Sequence, residues 1–114
     1  MIGGNKELII QELIETNTYD NKGKKIEKYE SILKPITGWL DLMSGDSNYD
    51  YKAKIEDSTH IFICDYVDLS TVDIEKSRAL IDNRVFDIKY IDNPMELNQH
   101  LEIYLKLIGG QTNG

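Results

Sequence analysis

The chain has 114 residues, 40% apolar and 29% charged, which fits one soluble domain and excludes collagen-like and wholly disordered classes. Thirteen basic against twenty acidic residues give a formal charge of −7, and the single cysteine, Cys64, excludes an internal disulfide and points to a reducing compartment. The longest unbroken apolar run, Ile61-Phe62-Ile63-Cys64, is too short for a membrane-spanning helix, and Met1-Ile2-Gly3-Gly4-Asn5 lacks the pattern of a secretory signal.

Sixteen isoleucines against two alanines favour strands over helices. Residues 1–6 read as a flexible N-terminus. Residues 7–15, with Leu8, Ile9, Ile10, Leu13 and Ile14, read as a first strand, with a short helix as the competing assignment. Thr18-Tyr19-Asp20-Asn21-Lys22-Gly23 is a turn, because Asp, Asn and Gly tolerate left-handed backbone. A second strand follows over 25–33, and Pro35 marks an edge or a kink, since it cannot donate a ladder hydrogen bond.

In a third strand, 36–43, Ile36, Gly38, Leu40 and Leu42 alternate with Thr37, Trp39, Asp41 and Met43; the lone tryptophan is assigned to the core. Residues 44–58 form a long polar loop of the size that is usually functional. A fourth strand over 59–66 is apolar on both faces and therefore central. Ser70-Thr71-Val72-Asp73 reads as a helix start with Ser70 as its cap. Strands over 78–81 and 84–91 flank Asp82-Asn83, a tight-hairpin signal. Asn93-Pro94-Met95-Glu96 offers one further helical turn. Leu101, Ile103, Leu105 and Leu107 alternate with polar or mixed residues in the last strand, and 109–114 read as a flexible tail. The expected fold is all-β: six or seven short strands in a small barrel or sandwich spanning 7–108, with a long polar loop and one or two short helical turns.

Residues 41–75 hold nine acids against Lys52 and Lys54, so the whole net charge lies in the middle third. Tight binding to duplex phosphates is therefore not expected, because that affinity comes from lysine and arginine displacing counterions. The lysines around the first turn, Lys22, Lys24, Lys25 and Lys28, are interleaved with Asp20, Glu27 and Glu30 and read as a solvated hairpin tip. Asp46-Ser47-Asn48-Tyr49-Asp50 copies the opening of a calcium loop, but Tyr51 replaces the turn glycine and Asp57 the closing glutamate, so a polar loop is favoured and no metal or cofactor is expected. His60 lies within a strand and reads as structural, far in sequence from His100. Cys64 reads as a buried, inert thiol. No nucleophile–base pair or phosphate-binding glycine motif is present, so no enzymatic activity is expected.

The order of these segments resembles the head-tail joining family of tailed bacteriophages, also called head-completion, head-closure or stopper proteins. The resemblance covers residues 7–108. It rests chiefly on Thr59-His60 opening a strand and on Asp82-Asn83-Arg84-Val85-Phe86-Asp87-Ile88, where the family shows a Thr-His strand and an Asp-Gly-Arg-x-Tyr-x-Ile hairpin. Asn83 stands for the usual glycine and Phe86 for the usual tyrosine, while Asp65-Tyr66 stands where the family often has Arg-Tyr.

The resemblance implies a non-enzymatic β-barrel subunit of the virion neck, assembled in the bacterial cytoplasm. Its copies form a ring, commonly dodecameric, with the portal and its adaptor above and a tail terminator or tail tube protein below. Double-stranded DNA passes through the ring without tight binding, and no membrane is involved. The polar loop would then line or gate the channel through Asp46, Asn48, Tyr49, Asp50, Tyr51, Lys52 and Lys54. Asp65, Asp68, Asp73 and Glu75 are the candidate acidic lumen or interface. The competing expectation is a small β-barrel binding module of the oligonucleotide-binding type, acting in phage or host regulation, which would need basic and aromatic residues on one face.

Overall fold

A long first strand that changes partners along its length organises the molecule. The computed structural model describes residues 2–43 and 58–109. Strand β1, Lys6–Tyr19, runs beyond the expected 7–15 because each part of it has somewhere to pair. Lys6 to Leu8 pair with β3 (Ile36–Leu42), Ile9 to Glu12 with β5 (Ser77–Ile81), and Gln11 to Tyr19 with β2 (Lys25–Ser31). The remaining strands are β4 (His60–Asp65), β6 (Arg84–Asp92) and β7 (His100–Gly109).

Among the described residues seven strands form one all-antiparallel sheet in the order β2-β1-β3-β4-β7-β6-β5, and the β1–β5 pairing closes it on itself. The fold is therefore all-β, as the residue usage predicts. Six strands make the closed circuit, and β2 stands outside it as the outer strand of a projecting hairpin, exposed at every residue. Fourteen extended residues reach about 46 Å, against a long axis of 49 Å and transverse extents of 29 and 24 Å, so β1 sets the length of the molecule. No helix among the described residues is long and apolar enough to cross a membrane.

Pro35 lies where β2 ends and β3 begins, both on the same edge of β1. The register there slips from Gln11 opposite Ser31 to Leu8 opposite Ile36, which is the kink the proline predicts. The expected turn at 18–23 lies slightly later. Asp20 Oδ1 accepts the amides of Lys22 and Lys24 at 2.8 and 2.9 Å, and Gly23 takes a φ of +80°. Between β5 and β6, Asp82 and Asn83 have φ of 52° and 63°, the pair of left-handed residues a two-residue hairpin requires.

Two expectations are corrected. Residues 70–76 are not helical. Val72 N–H bonds Leu69 O and Lys76 N–H bonds Asp73 O, while the Asp68 and Asp73 carboxylates take the amides of Ser70 and Glu75. These short-range acceptors compete with a helical ladder, and the turns let Val72 and Ile74 pack on the core. The helical turn at Pro94–Glu96 does form, as a single 3-10 turn. Trp39 is the second correction, being 47% exposed. Its alternation with buried Ile36 and Gly38 puts it on the outer face.

The core lies inside the closed sheet. Leu8, Ile10, Phe62, Phe86, Ile103 and Leu105 are fully buried there, with Cys64, Ala79, Ile81, Ile88 and Leu101 around them. Strands of the closed circuit contribute alternate residues, as His60, Phe62 and Cys64 do from β4. Gly38 lets β3 approach β4. A Cβ at this position would fall on the Ile63 carbonyl oxygen and the Phe62 ring.

Gly38→Ala should therefore lower the urea unfolding free energy by about 1–3 kcal/mol through overpacking. Asn83→Gly should raise it by about 0.5–1 kcal/mol, since glycine adopts the left-handed turn without a Cβ penalty.

Candidate functional site

Thr59 and His60 join two strands of the closed sheet. The Thr59 hydroxyl accepts the Leu107 amide of β7 at 2.8 Å and lies 2.8 Å from His60 Nδ1. The Leu105 carbonyl is farther from the same hydroxyl, at 3.5 Å, so donation to Nδ1 fits best and sets the neutral tautomer with its proton on Nε2. The His60 ring then meets Phe86 of β6 edge-on, with centroids 5.1 Å apart. Arg84 lies over the other end of this contact, 5.4 Å from the Phe86 centroid. Burial, and then the Arg84 charge, push the His60 pKa below its ordinary value. The histidine is a packing group, as its position within a strand predicts.

Cys64 is fully buried on the same inward row, and burial, then the Asp65 carboxylate, push its thiol up to about 11. It is held as a thiol, not a reactive thiolate.

The predicted channel residues Asp46, Asn48, Tyr49, Asp50, Tyr51, Lys52 and Lys54 lie outside the described residues, as does the calcium-like segment 46–57. The four predicted acidic residues are described, and they do different jobs. Asp65, at the end of β4, accepts the Ile2 amide at 2.8 Å and ties the beginning of the chain to the sheet. Trp39 Nε1–H donates to the Ile2 carbonyl at 3.1 Å and completes that tie. Asp68 accepts the Ser70 amide, and its hydrogen bonds to the Ser70 hydroxyl and backbone lower its pKa. Asp73 accepts the Glu75 amide at 3.1 Å, while its carbonyl takes the Ser77 hydroxyl at 2.7 Å. Asp68 and Asp73 are thus turn-forming carboxylates. Glu75 is exposed beside a cleft of about 330 Å³ that Tyr29, Ile74, Asp87 and Lys89 also line. Among the described residues no three such groups converge in a way that would hold a metal ion.

The β1–β2 hairpin, whose tip the sequence reads as solvated, is clamped at its root, where Arg78 stacks 3.8 Å from the Tyr29 ring centroid and donates to Gln11 at 2.9 Å. One surface escapes the sequence reading, the outer face of β3, β4 and β7, centred on Trp39. Strict alternation in β3 is the signal that would have revealed it, because Trp39 falls on the side opposite Ile36 and Gly38.

A cleft of about 460 Å³ lies between the 66–74 turns and β6, lined by Tyr66, Val67, Leu69, Val72, Tyr90 and Ile91. No family model matches the sequence, and no curated protein matches it significantly.

His60 yields a pH prediction. Above about 6.5 it is neutral in both folded and unfolded chains and adds no pH dependence. Below that value the unfolded chain binds the proton first, so stability should fall until the lowered native pKa is reached. The urea midpoint, followed from pH 7.5 to 4.5, should drop less steeply in His60→Gln than in the parent across the upper part of that window. An identical slope in the two proteins would contradict a neutral buried imidazole.

Proposed function

We propose that this chain is a structural subunit of a tailed-phage neck, a head-completion protein. Its copies assemble as a ring below the portal and adaptor, continue the DNA channel and dock the tail. One observation carries the reading: the two segments on which the family resemblance rests pack against each other. His60, from the Thr-His strand, meets Phe86, from the Asp82-Asn83 hairpin, inside one closed all-β sheet. An aromatic at position 86 serves this contact, which is why phenylalanine suits a place where the family shows tyrosine.

The charge distribution supports the same reading. A conduit must let DNA slide, and a subunit with net charge −7 gives little counterion-releasing attraction to phosphates. Arg78 and Arg84 are half-buried and engaged with aromatic rings, so neither extends a basic surface.

Electron microscopy tests the proposal. Adding the protein to portal–adaptor rings from the same phage should produce one further layer of density. Rings that remain unchanged at saturating protein would refute it.

A further inference from the structure

A ring of identical subunits needs two different complementary surfaces on each copy, because a head-to-tail contact must repeat around the circle. This chain carries such a pair at opposite ends of its longest strand. Trp39 follows Gly38, which faces Lys6 at the beginning of β1, and the hairpin tip lies past the Tyr19–Lys25 pair at the other end of the same fourteen-residue strand.

The hairpin tip is basic and apolar at once. Asp20 is occupied by the turn amides, while Lys22 and Lys24 make no ion pair among the described residues. Beside them Tyr19 is 60% exposed and Ile26 is exposed too.

The face at the other end has the reverse charge. Register places Trp39 beside Ile63, Ile63 beside Glu102, and Glu102 beside Asp92. The next row is Asp41, Ile61 and Tyr104. Trp39, Ile61 and Ile63 thus form an apolar centre with Asp41, Asp92 and Glu102 around it. Glu102 is engaged within the subunit, with Oε2 3.2 Å from His100 Nε2 and Oε1 accepting the Tyr104 hydroxyl at 3.1 Å, so Asp41 and Asp92 are the acids assigned to the contact. An exposed aromatic within a charged rim is the usual anatomy of a protein interface.

We infer that the hairpin tip of one copy docks on the Trp39-centred face of the next, with Lys22 and Lys24 meeting Asp41 and Asp92 and with Tyr19 and Ile26 covering Trp39. The partner is a second copy of this chain. The assignment rests on the ring reading above and supplies the contact between neighbours.

Two variants test it on the assembled portal–adaptor layer. Lys24→Cys combined with Asp92→Cys should give, on mild oxidation, a disulfide ladder of dimers, trimers and higher species, since the register puts the two sites of one copy at opposite ends of the length of β1. Each single variant should give nothing beyond dimers. Native Cys64 is buried and does not interfere. Lys22→Glu with Lys24→Glu should cut incorporation into the layer at least tenfold, and adding Asp41→Lys and Asp92→Lys should restore it. A layer that forms from the parent chain but gives no ladder, and that survives charge reversal, would overturn the tip-to-face contact and leave the ring reading standing. Cross-links to the adaptor in place of a second copy would overturn it equally. Failure of the parent chain to form any layer would remove the ring reading and this contact with it.

Discussion

The pairing of β1 with β5 is the constraint on which the structure depends. Without it the sheet would end in two open edges, β2 and β5, and an open edge presents unpaired amides and carbonyls to any passing strand. Residues 9–12 of β1 remove one of those edges by meeting Ser77 to Leu80. The same strand must also reach β3 and carry β2, which is why it is fourteen residues long in so small a domain. Closure also defines the interior. Inward positions from six strands converge on Phe62 and Phe86, and a domain of this size has room for only one such centre.

The one histidine inside that centre is costly unless it is satisfied. An imidazole loses water on burial, and the Thr59 hydroxyl supplies the missing partner at 2.8 Å. The same hydroxyl takes the Leu107 amide, so a single side chain serves both the β4–β7 ladder and the core polar group. Thr59 and His60 act together for this reason. Their value is in setting the register of β4 against β7, since a one-residue slip would put Ile61 and Ile63 inside and leave His60 on the surface.

Much of this was legible in the residues, for local reasons. Six of the seven strands come within about two residues of their alternation patterns, and Asp82-Asn83 specifies its hairpin through left-handed backbone that few other residues accept. The misses share a cause, which is that tertiary partners decide them. β1 reads as shorter in the sequence because its run of apolar residues ends at Ile14, yet its second half is held by β2. Ser70 to Asp73 carry helix-start chemistry, but Asp68 and Asp73 offer closer acceptors and the core draws Val72 inward. Trp39 was placed by its size, whereas alternation placed it outside. The Trp39-centred face is hidden in the sequence for the same reason. Trp39, Glu102 and Asp92 come from distant parts of the chain and meet only through strand register.

The hairpin arm shows how unequal the parts of one element can be. At its root, Arg78 bonds Gln11 and stacks on Tyr29, binding β5, β1 and β2 together. Farther out, Glu12 faces Glu30 and Glu15 faces Glu27 across the strands, an arrangement that opposes pairing. Lys28 and Lys25 offset it through exposed bridges of 2.9 and 3.7 Å to Glu30 and Glu15, each worth less than about 1 kcal/mol in water. A two-stranded ribbon is marginal by itself, and repulsion within it makes it more so. Its sequence is therefore poorly explained by the stability of the lone subunit. The docking proposed above would offset this repulsion: on an acidic surface the tip lysines would meet carboxylates, and the exposed Tyr19 and Ile26 would leave water.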